Sequence, residues 1–234
     1  MKPHPLSSSW SNPQNWRYVL LEGSPEGQDA ALYSEAYRLW KEVWGATFHE
    51  VDSTRPFFSD NFSRQNEIGA LFSGNRCLML SGFRKVDLEL SATRDDSYFA
   101  PWSDASLQTL KREGRVILIG NQITLDPQVR GKDFGPSMKD LIVSLSIARF
   151  LDSPCSAMAG SMRSLKGMNT LAIRHGATLI PQEIEIHGET SEIFAFYRSS
   201  YSAGIPLMAE LAQTLWQSRQ NARLPHSWQK KKVA

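Results

Sequence analysis

One short stretch of the sequence combines residue types that bind anions. The stretch LDPQVRGKDFG, residues 125–135, contains Arg130 and Lys132 together with Gly131 and Gly135. It lies between an apolar run typical of a strand and a run with apolar residues at helical spacing. The first N–H groups of a helix have no partner within the helix, so they are suited to bind phosphate. The pattern therefore predicts an anion site, although a tight turn with solvated basic residues would also explain it.

A second stretch, FHEVD, contains side chains that can move a proton. We interpret it as a loop among aromatic residues, where burial would raise the pKa of a carboxyl group towards neutrality. His49, Glu50 and Asp52 are therefore the predicted catalytic candidates. A solvated loop without catalytic function is the alternative, because no spacing singles out one of the three. Other acidic or imidazole side chains that qualify as a base are Asp60, Glu185 and His187.

Composition and spacing argue against several other kinds of site. The five His and two Cys residues are scattered without the paired spacing of metal ligands, and no G-x-S-x-G elbow marks a serine nucleophile. The formal net charge of +2 gives no reason to expect nucleic acid as a partner. No apolar run approaches the roughly 20 residues of a membrane span. Cys77 and Cys155 lie in apolar runs and are expected to be free thiols, which favours a cytoplasmic protein.

The 234 residues are expected to form one domain, because neither a repeat nor a low-complexity linker divides the chain. Residues 16–225 are assigned to this domain. Residues 1–15, which are rich in Pro, Ser and Asn and lack the apolar centre of a signal peptide, are assigned to a flexible segment. Residues 226–234 are assigned to a flexible basic tail.

The predicted elements form a layered domain. Apolar spacing predicts an early helix over 26–44, a central helix over 135–151 and a later helix over 162–175. The strand before the central helix is interrupted by Gly120, which is typical of a bulge or a close approach. This order predicts a mixed sheet flanked by helices, an α/β or α+β layered domain. The strands on either side of the central helix should be parallel neighbours joined by a right-handed crossover.

Residues 125–135 resemble the acyl-donor motif of the GNAT N-acyltransferase superfamily. That motif has the pattern V-x-P-x-x-R-G-x-G-x-G/A, and it follows the fourth strand of the fold and opens the third helix. Arg130, Gly131 and Gly135 match it. The order of elements over residues 16–198 is similar to that fold as well. The resemblance implies a mixed, mostly antiparallel sheet with a splayed parallel pair at its centre and helices on its faces.

The resemblance also implies a slot for a thioester donor, either acyl-coenzyme A or an acyl group on phosphopantetheine, and no metal. In the family, pantetheine lies in a V-shaped opening between the two parallel strands and pairs with backbone amides. The following loop cradles phosphate through its N–H groups. The donor-binding residues implied in this sequence are Ile123, Thr124, Leu125, Arg130, Gly131, Lys132, Asp133, Phe134 and Gly135.

Two positions depart from the pattern of simple acetyltransferases. Asp133 occupies the place of the middle glycine, where a carboxylate repels phosphate unless it points away or caps the helix. Ala172 stands where many acetyltransferases have a tyrosine that protonates the leaving thiolate. Both departures resemble the branch of long-chain N-acyl amino acid synthases and acyl-homoserine lactone synthases. That branch also implies aromatic residues that close over an acyl chain, here Tyr33, Tyr37, Trp40, Trp44, Phe48, Phe57, Phe58 and Phe62.

We therefore expect an N-acyltransferase that moves a fatty acyl group from acyl carrier protein or acyl-coenzyme A to an amine of an amino acid or peptide. An acetyl-coenzyme A-dependent acetyltransferase is one alternative. A GNAT-like module that binds a thioester or a carrier protein without catalysis is another, and a nucleotide-binding α/β protein is a third. An acidic carrier protein would meet a basic rim formed by Arg130, Lys132, Lys139, Arg163, Lys166 and Arg174.

Overall fold

A mixed sheet forms the centre of the computed structural model, which describes residues 11–23, 25–54, 56–131, 134–164, 167–186, 188–201 and 206–221. Within these ranges eight strands lie in the order β6-β7-β5-β4-β3-β2-β1-β8. Neighbours are antiparallel except for β4–β5 and the short β1–β8 pair, which are parallel. The predicted mixed, mostly antiparallel sheet is confirmed. The strands are β1 (Trp16–Glu22), β2 (Glu67–Ser73), β3 (Arg76–Asp87), β4 (Val116–Leu125), β5 (Ala157–Arg163), β6 (Thr178–Ile186), β7 (Glu189–Tyr197) and β8 (Gln220–Asn221).

Helices cover both faces of the sheet. Successive side chains of a strand point to opposite faces, and in β4 Leu118 packs with α5 and α7 whereas Ile117 and Ile119 pack on the other face. Helix α1 covers that second face over β1 to β3. The α-helices in the described residues are α1 (Gln28–Val51), α2 (Asp60–Ser63), α3 (Ser91–Arg94), α4 (Asp104–Leu110), α5 (Met138–Leu151), α6 (Met168–Arg174) and α7 (Pro206–Gln217).

Two predicted helix boundaries are wrong. Helix α1 continues to Val51, beyond the predicted end at residue 44, so FHEVD is not a loop. The added turns are held by aromatic packing, since Phe48 contacts both Trp44 and Phe57. The predicted helix over 162–175 begins only at Met168, and Met162 and Arg163 instead continue β5 in its ladder with β7. Strand pairing there outweighs the local helical pattern.

The ends of the domain are described only in part. Asn12 caps a 3₁₀ turn over Pro13–Asn15, and β1 follows directly. Residues 1–10 and 222–234 lie outside the described ranges, so the division into 1–15, 16–225 and 226–234 stays a prediction. Among the helices that the structure describes, none has the length and apolar character needed to span a membrane.

Candidate functional site

The two parallel strands at the centre of the sheet separate after a short paired segment. Ile117–Ile119 of β4 pair with Ala157–Ala159 of β5, and beyond that point β4 follows β3 while β5 follows β7. Gly160 lies where the strands divide, and a Cβ there would be 2.4 Å from the carbonyl oxygen of Gly120. Only glycine permits so close an approach. The predicted splayed parallel pair is therefore confirmed.

A bulge in β4 shapes one wall of this opening. Gln122 has a φ of 54°, and the pairing of β4 with β3 shifts register between Leu80 and Gly82. The sequence predicted a bulge or a close approach at Gly120: the close approach is that of its carbonyl to Gly160, and the bulge lies two residues later. An extra residue in one strand turns the following backbone groups away from the regular ladder. The bulge thus lies in the part of β4 that has already separated from β5.

Two tryptophans of α1 hold the bulged strand in place. Trp40 Nε1 donates to Gln122 Oε1 at 2.8 Å, and Trp44 Nε1 donates to Thr124 Oγ1 at 3.0 Å. Because Thr124 is buried and bonded in this way, its side chain does not point into the slot. Only its backbone is a candidate for contact with a donor.

The opening between β4 and β5 is an apolar cleft under α5. Its cavity volume is about 20 Å³, and the space around it is continuous with solvent. Ile123, predicted as a donor-binding residue, lines it. The other large side chains on its walls are apolar as well: Val143, Met158, Met162, Phe194 and Phe196.

The loop after β4 is braced by charged side chains. Arg76 of β3 donates to Asp126 Oδ2 through Nε and Nη2, at 3.0 and 2.6 Å. Arg130 turns back and donates to the carbonyl oxygen of Leu125, with Nε at 3.1 Å and Nη2 at 2.8 Å. Arg130 therefore places positive charge at the loop while using part of its guanidinium to hold the loop's shape.

The second half of the predicted phosphate loop is anchored in the core. Phe134 is buried and stacks on Trp16 with ring centroids 6.2 Å apart, and its N–H is directed to the carbonyl of Gly131 at 3.4 Å. Gly135 has a φ of 109°, a conformation that favours glycine. Lys132 and Asp133 lie outside the described residues. A turn thus requires Gly135 whether or not a phosphate binds, and the predicted donor residues of this loop stay a prediction.

A buried ion cluster supports the start of α5 next to this loop. Ser137 caps the helix, and Asp140 lies in its first turn. Nε2 of the fully buried His175 donates to Asp140 Oδ1 at 3.0 Å, and Arg174 bonds to the same oxygen. Burial alone would raise the pKa of Asp140, but hydrogen bonds from Ser137, His175 and Arg174 outweigh it and hold that pKa below its usual range.

We expect Asp140→Ala to lower the free energy of unfolding by about 1–3 kcal/mol, because it leaves the buried His175 ring without its acceptor. The folded-state pKa of Asp140 is depressed, so its stabilising contribution is complete above the ordinary aspartate pKa of about 4 and is lost as pH falls through the lower folded value. Urea unfolding at pH 7 and at pH 3 measures this. If the free energy of unfolding differed between wild type and variant by the same amount at both pH values, the result would contradict this prediction.

The predicted catalytic candidates lie on the last turn of α1. His49 and Glu50 are helical, Asp52 follows the helix as its C-terminal cap, and all three are exposed rather than buried among aromatic rings. Asp52 Oδ1 accepts hydrogen bonds from the backbone and hydroxyl of Thr54. Burial lowers the pKa of Arg163 at the end of β5, and the Glu50 carboxylate opposes this, so Glu50 lies within electrostatic range of that strand end.

Residues from distant parts of the chain form a polar cluster on the α1 face of the slot, and sequence reasoning missed it. Arg84 of β3, Asn121 of β4 and Gln65 before β2 each have a buried polar atom without a partner among the described residues. Their side chains meet only through the register of the sheet, so no spacing in the sequence marks them. Nearby, burial raises the pKa of Tyr98 to about 12, an effect that Ser161 of β5 partly offsets.

The remaining predicted features have clear positions. The aromatic residues of α1 contact one another and Phe57 and Phe62 of the following segment. Trp40 and Phe62 are fully buried core residues, whereas Phe58 is exposed. Arg163, predicted as part of a basic rim, ends β5 and pairs with Glu189 instead of lying on a helix. Lys166 lies outside the described residues. Across the described part of the chain, no group of three or more His, Cys, Asp or Glu is placed to hold a metal ion.

Neither a protein-family model nor a curated protein matches the sequence. Solved structures do match. FeeM, an N-acyl amino acid synthase from uncultured soil microbes, aligns with a TM-score of 0.55 at 14% identity over 80% of this chain and 93% of its own. BjaI, a coenzyme A-dependent acyl-homoserine lactone synthase, aligns with a TM-score of 0.57 at 9% identity over 90% and 95%. The acyl-homoserine lactone synthase LasI aligns at 0.51 and 12% identity over 81% and 95%.

Identities this low establish the fold and not the reaction. The likeness extends over nearly the whole of each matched structure. The chain has the GNAT-like fold that the motif at residues 125–135 predicted.

Proposed function

We propose that the protein is an N-acyltransferase that moves a fatty acyl group from acyl-coenzyme A or acyl carrier protein to an amine of an amino acid or peptide. The apolar cleft between the splayed strands β4 and β5 carries this proposal, because Ile123 of β4 lines it and the loop that bears Arg130 and Gly131 follows that strand directly. A thioester donor has the matching shape, with an apolar acyl chain at one end and a phosphate at the other. FeeM, BjaI and LasI, which act on acyl donors, share the fold.

In this proposal the donor's pantetheine pairs with the backbone of Ile123 to Leu125, where β4 has separated from β5. Its phosphate meets the loop over residues 130–135, the N-terminus of α5 and the charge of Arg130. Lys132, Asp133, Phe134 and Gly135 keep their predicted places in this loop. Cys77 and Cys155 are buried free thiols, which is compatible with the proposed cytoplasmic, reducing location.

The reaction joins the amine nitrogen to the thioester carbonyl carbon and breaks the carbon–sulfur bond. The acceptor ammonium first loses a proton to a base, the amine attacks, and the second proton leaves as the amide forms while the sulfur departs as thiolate and is protonated. We propose Glu50 as the base, acting through water because it is exposed, with His49 and Asp52 as its neighbours on the same turn. A backbone N–H of the bulged strand near Asn121 polarises the carbonyl.

The direct test supplies purified protein with acetyl-coenzyme A, dodecanoyl-coenzyme A or dodecanoyl acyl carrier protein, each with mixtures of amino acids, peptides and simple amines. Mass spectrometry detects N-acyl products, and calorimetry measures donor binding separately. Transfer from the dodecanoyl donors supports the proposal. Tight donor binding without any product would indicate a binding module instead, and stabilisation by ATP but by no thioester would indicate a nucleotide-binding protein.

The choice between the two donors has its own prediction. Lys139 lies at the start of α5 and is exposed. We expect the Lys139→Glu variant to lower transfer from acyl carrier protein about fivefold at low salt, with little effect on acyl-coenzyme A. The acidic carrier would then meet a repulsive rim.

A matched control is Lys41→Glu on the exposed side of α1, away from the slot. Rates for all variants across a salt series, with melting temperatures measured alongside, decide the question. An equal loss with both donors, or a similar effect of Lys41→Glu, would reject carrier docking at this rim.

A further inference from the structure

The polar cluster on the α1 face lies at the point where the slot opens. Arg84 of β3 pairs with Ile119 of β4, which pairs with Ala159 of β5 in the last rung before the strands separate. Residues paired in this way point to the same face of a sheet. Asn121 follows two residues after Ile119 on that face and directly precedes the bulge. Arg84 is therefore one strand away from the edge of β4 at which the thioester of a bound donor would lie.

The guanidinium of Arg84 has an unused edge. Nη1 donates to Asp96 Oδ2 at 2.6 Å, whereas Nε and Nη2 are buried and have no partner in the described structure. The side chain is only 11% exposed, and the rings of Tyr98 and Phe99 lie 5.5 and 5.9 Å from its central carbon. Buried donors without acceptors are costly. Nε and Nη2 form the planar fork that binds a carboxylate in a bidentate manner.

The charge balance of the cluster also favours an anion. Arg84 and Arg64 both face the single carboxylate of Asp96, at 2.6 and 3.9 Å. Asp96 is already occupied by the backbone N–H of Tyr98 and by Arg84 Nη1. Two guanidinium groups that share one carboxylate have a net positive charge, which favours the binding of a second anion.

Two buried hydrogen-bond acceptors lie on the same face of the sheet as the Nε–Nη2 edge of Arg84. Gln65 Oε1 and Asn121 Oδ1 are buried without partners among the residues described. Gln65 Nε2 donates to the carbonyl of Asn61 at 2.7 Å, which leaves Oε1 as the free end. The two side chains meet over Gly82, where a Cβ would be 2.9 Å from both Asn121 Oδ1 and Gln65 Cδ. Amide oxygens in this position accept hydrogen bonds from an amine.

We propose that Arg84, Gln65 and Asn121 bind a free amino acid, with its α-carboxylate on Arg84 and its α-amine on the two amide oxygens. The inference rests on the N-acyltransferase function proposed above and narrows its acceptor from amines in general to free amino acids. It requires the carboxylate and the amine to be neighbours, as they are in an α-amino acid. The amine then lies next to the bulge of β4, where the thioester is placed. In a peptide the terminal carboxylate is separated from the α-amine by at least one residue, and simple amines have no carboxylate for Arg84 to bind.

The test compares acceptors that differ only in the carboxylate. Dodecanoyl-coenzyme A is supplied with each L-amino acid or with the corresponding carboxamide, and products are measured by mass spectrometry. Wild type should acylate the acids about 100-fold more efficiently than the carboxamides. Arg84→Gln should remove this preference by lowering kcat/KM for the acids alone. Asn121→Leu should lower kcat/KM for the acids and for the carboxamides to the same extent, because both kinds of acceptor keep the amine.

Arg115→Gln is the matched control, since Arg115 forms an exposed pair with Asp87 near the other end of the same strands. Arg84→Lys keeps the charge without the fork and guards against a folding defect, and melting temperatures are compared throughout. Equal use of acids and carboxamides by wild type, or an equal loss of both in Arg84→Gln, would overturn the inference while leaving N-acyl transfer intact. If no acceptor is acylated, calorimetric binding of the amino acids to wild type but not to Arg84→Gln supports the site by itself, and no binding to wild type overturns it.

Discussion

Gly120→Val is expected to reduce binding of acyl donors by about 1–3 kcal/mol, roughly 5- to 150-fold, by filling the cleft between β4 and β5. A Cβ at Gly120 would lie 3.3 Å from Sδ and 3.5 Å from Cγ of Met158, so the side chain would project against a flexible wall of the cleft. Valine suits a strand, and therefore the fold should persist. Calorimetric titration with dodecanoyl-coenzyme A measures the effect.

Gly120→Ala is the graded control for this change. It adds one methyl group that Met158 can accommodate, so donor binding should fall between that of wild type and that of Gly120→Val. Melting temperatures of the three proteins separate loss of the site from loss of the fold. If Gly120→Val binds the donor as tightly as wild type, the cleft is not the donor slot.

The rate of transfer is expected to rise with the length of the acyl chain. The cleft is lined by apolar side chains such as Phe194, Phe196 and Met162. Each methylene buried there contributes about 0.8 kcal/mol, so kcat/KM should increase about fourfold per carbon until the cleft is filled. A series of acyl-coenzyme A donors from two to sixteen carbons measures this dependence.

As a control, a variant can change the chain length at which kcat/KM stops increasing. Phe194→Ala enlarges the cleft and should move the preference to longer chains, whereas Phe99→Ala, in the separate core beneath the other face, should lower stability without moving it. An efficiency that does not change from two carbons upward would favour the acetyltransferase alternative.

Turns, helix caps and the order of the elements could be predicted from the sequence alone. The hairpin turn at Gly74 and the cap at Ser103 depend on residues next to each other in the chain, and the structure has both. The motif at residues 125–135, set between an apolar strand and an apolar-striped helix, predicted the parallel crossover from β4 to β5. From this the GNAT-like fold followed. These features are local because backbone conformation and helix capping are decided within a few residues.

The tertiary structure decided where side chains point and which partners they find. Arg130 carries a charge suited to phosphate, yet only the folded loop shows its guanidinium bonded to the Leu125 carbonyl. FHEVD reads as a loop, but packing of Phe48 on Phe57 extends the helix through it and leaves Glu50 exposed. Residues 162 and 163 have a helical pattern, and pairing with β7 makes them a strand.

Of all these features, the polar cluster on the α1 face depends most strongly on the tertiary structure. Gln65, Arg84 and Asn121 belong to three separate elements, and each is an ordinary polar residue when read in sequence. The register of β3 with β4 places Gly82 opposite Asn121, and the segment before β2 brings Gln65 over that glycine. Burial then removes water from atoms that have no other partner among the residues that the structure describes. Long-range strand register and desolvation exist only once the chain is folded, and together they distinguish these three residues from other polar residues of the sequence.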